Sequence, residues 1–257
     1  MSNLSPAPRM PSSTFVQIYL RLLAVQSAFN YEVLIGNGIG FAMEPALRRL
    51  PGGTTGTPYR EALARQSQYF NAHPYLAGIA VGALARAELE GVPATTIVRF
   101  RTALAGPLGS VGDRLVWVGW LPFCSLLALA AFGAGVRSRV VVLVFLVSYN
   151  IGHLGLRYWA LREGWKGGLR VAGALAHPVL REGPEVIARA AALLAGVALP
   201  LAAARLIGED GPAVGAVLAG ALIVGGVLAR LHGRAEGWRV AIVTLVVLVL
   251  FSVARHG

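Results

Sequence analysis

Charged residues are scarce in this chain of 257 residues. Asp, Glu, Lys and Arg make up 14% of it, and hydrophobic residues make up 56%. An ordinary soluble domain carries about 25% charged residues, so this chain has too little polar surface for a soluble fold of its length. With a mean hydropathy of +0.63, the composition predicts an all-α, polytopic integral membrane protein in contact with membrane lipid.

Cysteine is nearly absent as well. Cys124 is the only one, which excludes an internal disulfide, and no Cys and His residues recur at metal-ligand spacing. No nucleophile and base stand out as a catalytic pair. We therefore predict no metal, no cofactor and no catalytic residue on this chain.

Acidic residues are few, and the 23 Lys and Arg against 12 Asp and Glu give a net charge of +11. Such an excess is compatible with nucleic-acid binding, but the arginines lie between apolar runs rather than in a patch with aromatic residues. Membrane proteins retain basic residues in their cytoplasmic loops. This second explanation is simpler, and we predict no nucleic-acid partner.

The chain divides into a short tail and one membrane domain. Residues 1–13 are rich in Ser and Pro and lack the apolar core of a signal peptide, which predicts a flexible N-terminal tail. Residues 14–113 mix apolar and charged positions at helical spacing, which predicts amphipathic or re-entrant helices. Residues 114–257 predict about five transmembrane helices, at 115–135, 140–156, 190–207, 213–231 and 240–253.

The loops between the predicted spans differ in charge. Segments 157–189 and 230–239 are basic and 208–212 is acidic, so the positive-inside rule places the first two in the cytoplasm and the third outside. Arg137 and Arg139 contradict this orientation, because they would then face outward.

Immediately before the first predicted span, residues 106–113 read Gly-Pro-Leu-Gly-Ser-Val-Gly-Asp. Glycine adds backbone freedom and proline removes a donor, so we expect a loop rather than a helix here. At the edge of a bilayer such a loop must be buried in protein or line a polar cavity, which favours a transport path. The loop residues on which this expectation rests are Gly106, Pro107, Gly109 and Gly112.

Four motifs resemble, in order, those of enzyme IID of the mannose/fructose/sorbose family of the sugar phosphotransferase system. They are 26–32 with 40–50, then 69–75, then 106–113 with Trp117, and then 149–150 with 157–158 and Gly164. The chain departs from the family pattern at Arg114, where a small residue or proline is usual. Its C-terminal half also looks shortened.

The resemblance implies a multi-pass subunit of the bacterial inner membrane. Enzyme IID pairs with enzyme IIC in a hetero-oligomer that translocates a hexose, while the soluble IIA and IIB phosphocarriers supply the phosphoryl group. No phosphorylated residue is then expected on this chain. The alternative, which Arg114 and the shortened C-terminal half favour, is an orphan IID-like regulatory or scaffold protein that does not transport.

Five polar residues are candidates for the substrate path. Gln26, Asn30 and Asn71 carry amides, which offer a sugar hydroxyl both a donor and an acceptor, although amides also join helices to one another. Glu32 and Asp113 are carboxylates, which are costly in a membrane and are usually functional or paired. For Asp113, an ion pair with Arg114 or a helix N-cap is the alternative.

Overall fold

The computed structural model describes residues 10–171, 173 and 177–210, without the side chains of 207–210. Within these residues the regular structure is helical, and β pairing is limited to the single bridges Asn30–Leu34 and Leu34–Phe70. The predicted all-α class is therefore confirmed for the described part. The packing described below belongs to the unit 1–199; of the second unit, 200–257, the structure describes the helical residues 200–210.

In the described residues, four short helices come first and the helices of membrane length follow. The short helices are α1 Ser12–Leu23, α2 Gly36–Leu47, α3 Thr57–Gln66 and α4 Ala77–Leu89, with a 3-10 turn at Gly53–Thr55. The long helical stretch that follows consists of α5 Ala94–Asp113, a π-helical segment Arg114–Trp120 and α6 Leu121–Gly133. After it come α7 Ser138–Gly167, a 3-10 turn Gly168–Arg170, the short helix α8 Pro178–Arg181 and α9 Gly183–Asp210.

In the described part of the chain, three helices are long and apolar enough to cross a membrane: Ala94–Gly133, Ser138–Arg170 and Gly183–Leu206. They contain most or all of the first three predicted spans, so the membrane class and these three spans agree with the sequence prediction. The predicted spans 213–231 and 240–253 lie outside the described residues. A total of about five therefore stays a prediction.

The predicted loop at 106–113 is wrong, because α5, the π-helical segment and α6 follow one another without a break. Residues 94–113 thus continue directly into the helix that contains the first span. Packing explains the difference. A β-carbon on Gly112 would overlap the His73 side chain, and one on Gly109 would lie 3.9 Å from Asn71 and Ala72. Gly112 therefore allows a close approach to His73, and this packing offsets the weak helix propensity of the stretch.

The short helices share one hydrophobic core with the far end of α7. The closest crossing joins α4 to α7. A β-carbon on Gly78 would lie 2.8 Å from the backbone N of Leu161, and one on Gly82 would lie 2.5 Å from the backbone N of Trp165. On the α7 side, a β-carbon on Gly164 would overlap the carbonyl of Ile79. Small residues four apart on a helix are typical of tightly packed membrane helices.

We predict that Gly82→Ala destabilises the protein by about 1–3 kcal/mol, because the added methyl meets backbone and forces the two helices apart. Gly106→Ala is the matched control: it also replaces a helical glycine, but the added β-carbon has no neighbour within 4 Å. That change is expected to stabilise the helix by about 0.5–1 kcal/mol. Melting temperatures of the full chain in detergent measure both, and equal losses in the two variants would contradict the packing argument.

Candidate functional site

Asn30 organises the loop between α1 and α2. Its Oδ1 accepts hydrogen bonds from the backbone N–H of Glu32 and Val33, each at 3.0 Å. Leu34, which has a φ of 50°, pairs with Asn30 and with Phe70. The loop after α1 is thereby joined to the segment that precedes α4. The structure gives Asn30 a positioning role, with its amide oxygen already engaged.

The other four candidate residues are exposed: Gln26, Glu32, Asn71 and Asp113. Among the described residues, no hydrogen bond engages any of their side chains. Gln26 and Glu32 lie on the loop that Asn30 organises, and Asn71 directly follows Phe70 and lies beside Gly109. Asp113 lies one helical turn after Gly109. We call these four residues and Asn30 the polar edge, because backbone pairing and close packing connect the segments that carry them.

Neither alternative proposed for Asp113 is found. Its φ of −62° and ψ of −44° are those of a residue inside a helix, and its side chain caps nothing. Within the described part of the chain, no ion pair joins Asp113 to Arg114. Asp113 therefore remains an exposed carboxylate immediately before the apolar stretch of the first span.

A cluster of buried and half-buried aromatic and basic side chains lies close to the polar edge, and the sequence did not predict it. The hydroxyls of Tyr75 and Tyr149 are 2.7 Å apart, and the Tyr75 ring stacks on His153 at 4.4 Å. The guanidinium carbon of Arg157 lies 4.7 Å from the centre of the Tyr75 ring. We call Tyr75, Tyr149, His153, Arg157 and His73 the His–Tyr cluster. It joins the segment before α4 to α7.

Arg157 and Trp165 are buried, although residues between a span and a basic loop commonly anchor a helix at the membrane interface. Arg157 is only 3% exposed and donates a hydrogen bond to the carbonyl of Leu22, and Trp165 is 8% exposed. The only sequence signal for Arg157 is its place in the fourth motif. Its partners are distant along the chain, so spacing gives no indication of them.

His73 is buried, with 2% of its surface exposed, and its ring centre lies 4.9 Å from that of Tyr75. Its Nδ1 accepts a hydrogen bond from the backbone N–H of Tyr75 at 3.2 Å, so a neutral ring carries its proton on Nε2. Burial and then the nearby charge of Arg157 lower the pKa of His73 to about 4.

Two further carboxylates tie the short helices together. The carboxylate of Glu44 on α2 accepts hydrogen bonds from Arg21, Arg48 and Tyr59. Burial raises the pKa of Glu44, but the hydrogen bonds from Arg48 and Tyr59 and the adjacent positive charges bring it below its usual value.

Glu88 on α4 accepts from Arg65 at 3.0 and 2.7 Å and from Gln66 at 2.7 Å. Glu44 and Glu88 are both largely buried. These networks hold the scaffold that presents the polar edge. Among the described residues, no group of three or more His, Cys, Asp and Glu is arranged to hold a metal.

We predict that His73 makes the fold sensitive to acid. The unfolded chain takes up a proton on this residue near pH 6.5 and the folded chain only near pH 4. Its contribution to stability is therefore complete above pH 6.5 and falls by about 3 kcal/mol as the pH is lowered towards 4. His73→Asn keeps an oxygen that can accept from the Tyr75 N–H but does not titrate. Melting temperatures between pH 7.5 and 4.5 should fall less steeply for the variant, and parallel curves would contradict the prediction.

Comparison with known proteins gives relatives of a single kind. The chain is 28% identical over 174 residues to the fructose permease IID component of Bacillus subtilis (strain 168), covering 65% of this chain and 62% of that protein. It is 28% identical over 172 residues to the mannose-specific EIID component of Escherichia coli (strain K12), covering 63% and 58%. The match to the sorbose-specific EIID component of Klebsiella pneumoniae is 27% over 223 residues, covering 80% and 78%. The matched part is therefore about three fifths of the length of the first two relatives.

Solved structures give the same result at the level of the fold. A chain in the cryo-EM structure of the mannose transporter ManYZ in complex with microcin E492 is 25% identical, with a TM-score of 0.56, and the match covers 73% of this chain and 69% of that one. A second structure, described as a membrane protein, is also 25% identical, with a TM-score of 0.62 and coverages of 74% and 70%. The family model for the PTS system mannose/fructose/sorbose family IID component matches residues 9–199. The chain belongs to this IID family.

Proposed function

We propose that this chain is the IID-type membrane subunit of a mannose-type sugar phosphotransferase permease. Together with a IIC subunit it translocates a hexose across the bacterial inner membrane, while IIB, recharged by IIA, phosphorylates the sugar. The observation that carries this proposal is the IID family match over 9–199, which includes the whole polar edge and the His–Tyr cluster. The proposal assigns phosphoryl transfer to the soluble subunits, as the family resemblance implies.

The spans support a role inside a larger membrane assembly. In the most apolar part of Ser138–Arg170, none of the residues is buried within the chain, and the corresponding fractions for Ala94–Gly133 and Gly183–Leu206 are 28% and 17%. Exposed apolar residues on α7 include Val142, Leu143 and Val147, each 56% exposed. In a bilayer these helices contact lipid or another membrane protein, as a IID subunit paired with IIC would.

The polar edge has the chemistry to contact a sugar. The amides of Gln26 and Asn71 offer donors and acceptors, and the carboxylates of Glu32 and Asp113 accept two hydroxyls each. Because no protein group among the described residues occupies these side chains, their hydrogen-bonding capacity is available to a ligand or a partner. Asn30 holds the loop in place, and the His–Tyr cluster lies close to the edge.

We predict that a strain lacking only this gene loses phosphoenolpyruvate-dependent uptake of at least one hexose. A plasmid copy restores the uptake, and the full chain co-purifies with its IIC partner in mild detergent. The alternative, an orphan IID-like scaffold, predicts unchanged uptake of every hexose tested. Retained uptake, or a chain that never associates with IIC, would exclude the transport role.

Asp113→Asn and Asn71→Ala test the polar edge directly. Each removes hydrogen bonds that the proposal assigns to the sugar path, so we expect uptake to fall by about tenfold or more. Glu61→Gln on α3 is the control, because it neutralises an exposed carboxylate of the same helical unit away from the edge. Amounts of each variant in the membrane and its association with IIC are measured in parallel. Wild-type uptake by Asp113→Asn and Asn71→Ala, at equal amounts of protein, would remove both residues from the path.

A further inference from the structure

Two hollows lie side by side between the π-helical segment and the beginning of α9. The first has a volume of about 130 Å³ and apolar walls, formed mainly by Leu115, Val116, Trp120, Leu156, Val179 and Ile187. Trp120 is held there by a hydrogen bond from its Nε1 to the carbonyl of Tyr149 at 3.4 Å. The width and apolar walls of this hollow suit a hydrocarbon chain rather than a polar ligand.

The second hollow is about 360 Å³ and carries charge. It is lined by Arg114 from the π-helical segment and Arg181 from α8, and neither guanidinium pairs with a carboxylate among the described residues. Glu185, which also lines it, forms an ion pair with Arg189. Consecutive residues line the two hollows: Arg114 lines the charged one and Leu115 the apolar one, and on α9 Ala188 lines the charged one and Ile187 the apolar one.

The position of this pair of hollows along the spans is the second observation. Arg114 immediately precedes the apolar stretch of the first span, Arg157 ends that of the second, and Arg189 precedes that of the third. The first two spans are joined by the short turn at 134–137, so Arg114 and Arg157 lie at the same end of the helices. Arg181 precedes the third span at that end. Arg114 and Arg181 therefore lie at the level of the membrane where lipid headgroups meet acyl chains.

We propose that the two hollows together bind one anionic phospholipid. The phosphate lies between Arg114 and Arg181, and one acyl chain enters the apolar hollow against Trp120 and Ile187. Arginine is suited to this role because its planar guanidinium donates two parallel hydrogen bonds to phosphate oxygens. A free phosphate would occupy only the charged hollow. A zwitterionic lipid would bring its own positive charge close to the two arginines. Both an acyl chain and a net negative charge are therefore required.

The test measures how added lipid raises the melting temperature of the full chain in a non-ionic detergent. Dioleoyl phosphatidylglycerol is the ligand, and dioleoyl phosphatidylcholine has the same chains without the net charge. Glycerophosphoglycerol and inorganic phosphate supply the anion without the chains. Arg114→Gln with Arg181→Gln removes the proposed pair. Arg137→Gln with Arg139→Gln removes an equal charge at the opposite end of the spans and is the matched control.

We expect phosphatidylglycerol alone to stabilise the wild type and the control variant. In the Arg114/Arg181 variant the concentration that gives half of the effect should rise about thirtyfold, as the loss of two charges near a lipid surface implies. Each variant is compared with its own melting temperature in phosphatidylcholine, so a change in intrinsic stability does not affect the result. Equal stabilisation by phosphatidylcholine or by the chain-free anions would overturn the proposal. So would an unchanged response of the Arg114/Arg181 variant, or an equal loss in the control.

Discussion

The close contact between α4 and α7 is the constraint on which the rest of the structure depends. Gly78 and Gly82 on one helix and Gly164 on the other leave room for backbone to touch backbone. This contact holds the segment before α4 against the second span, and it places Tyr75 beside Tyr149 and under Arg157. A side chain at the crossing would separate these groups, because the neighbouring atoms are main chain and cannot rotate away.

Buried arginines then fix the segments that the crossing brings together. Arg101 on α5 donates to the carbonyls of Gln66, Gln68 and Tyr69 at 2.5–3.1 Å and lies over the Phe70 ring. Arg157 bonds the carbonyl at the end of α1 in the same way. Both guanidinium groups donate to carbonyls at or just after the ends of helices, where helical hydrogen bonds run out. Four residues of the polar edge lie on connections between helices and Asp113 lies at the end of α5. The four exposed side chains of the edge form no hydrogen bond within the described residues.

Composition and motifs were enough to predict the class, the family resemblance and the first three spans, because hydropathy and collinear motifs are local properties of the sequence. They were not enough to predict that residues 106–113 are helical. Glycine and proline were interpreted by intrinsic propensity, but the conformation is decided by Gly109 and Gly112 packing on a segment some 40 residues earlier in the chain. Arg157 shows the same limit, because its partner Leu22 is 135 residues away. Asn30 and Asn71 were predicted as equivalent amides, yet one closes a turn and the other is exposed.

Helical rotation directs two neighbouring residues of opposite charge, Asp113 and Arg114, to different surfaces where α5 meets the π-helical segment. Successive residues of a helix point about 100° apart. Gly112 faces His73, Asp113 is exposed as part of the polar edge, and Arg114 lines the charged hollow near Arg181. The cation that departs from the family pattern is therefore directed away from the carboxylate that precedes it. The proposed substrate path and the proposed lipid site can then occupy one helix at the same level, because helical rotation keeps their charges apart.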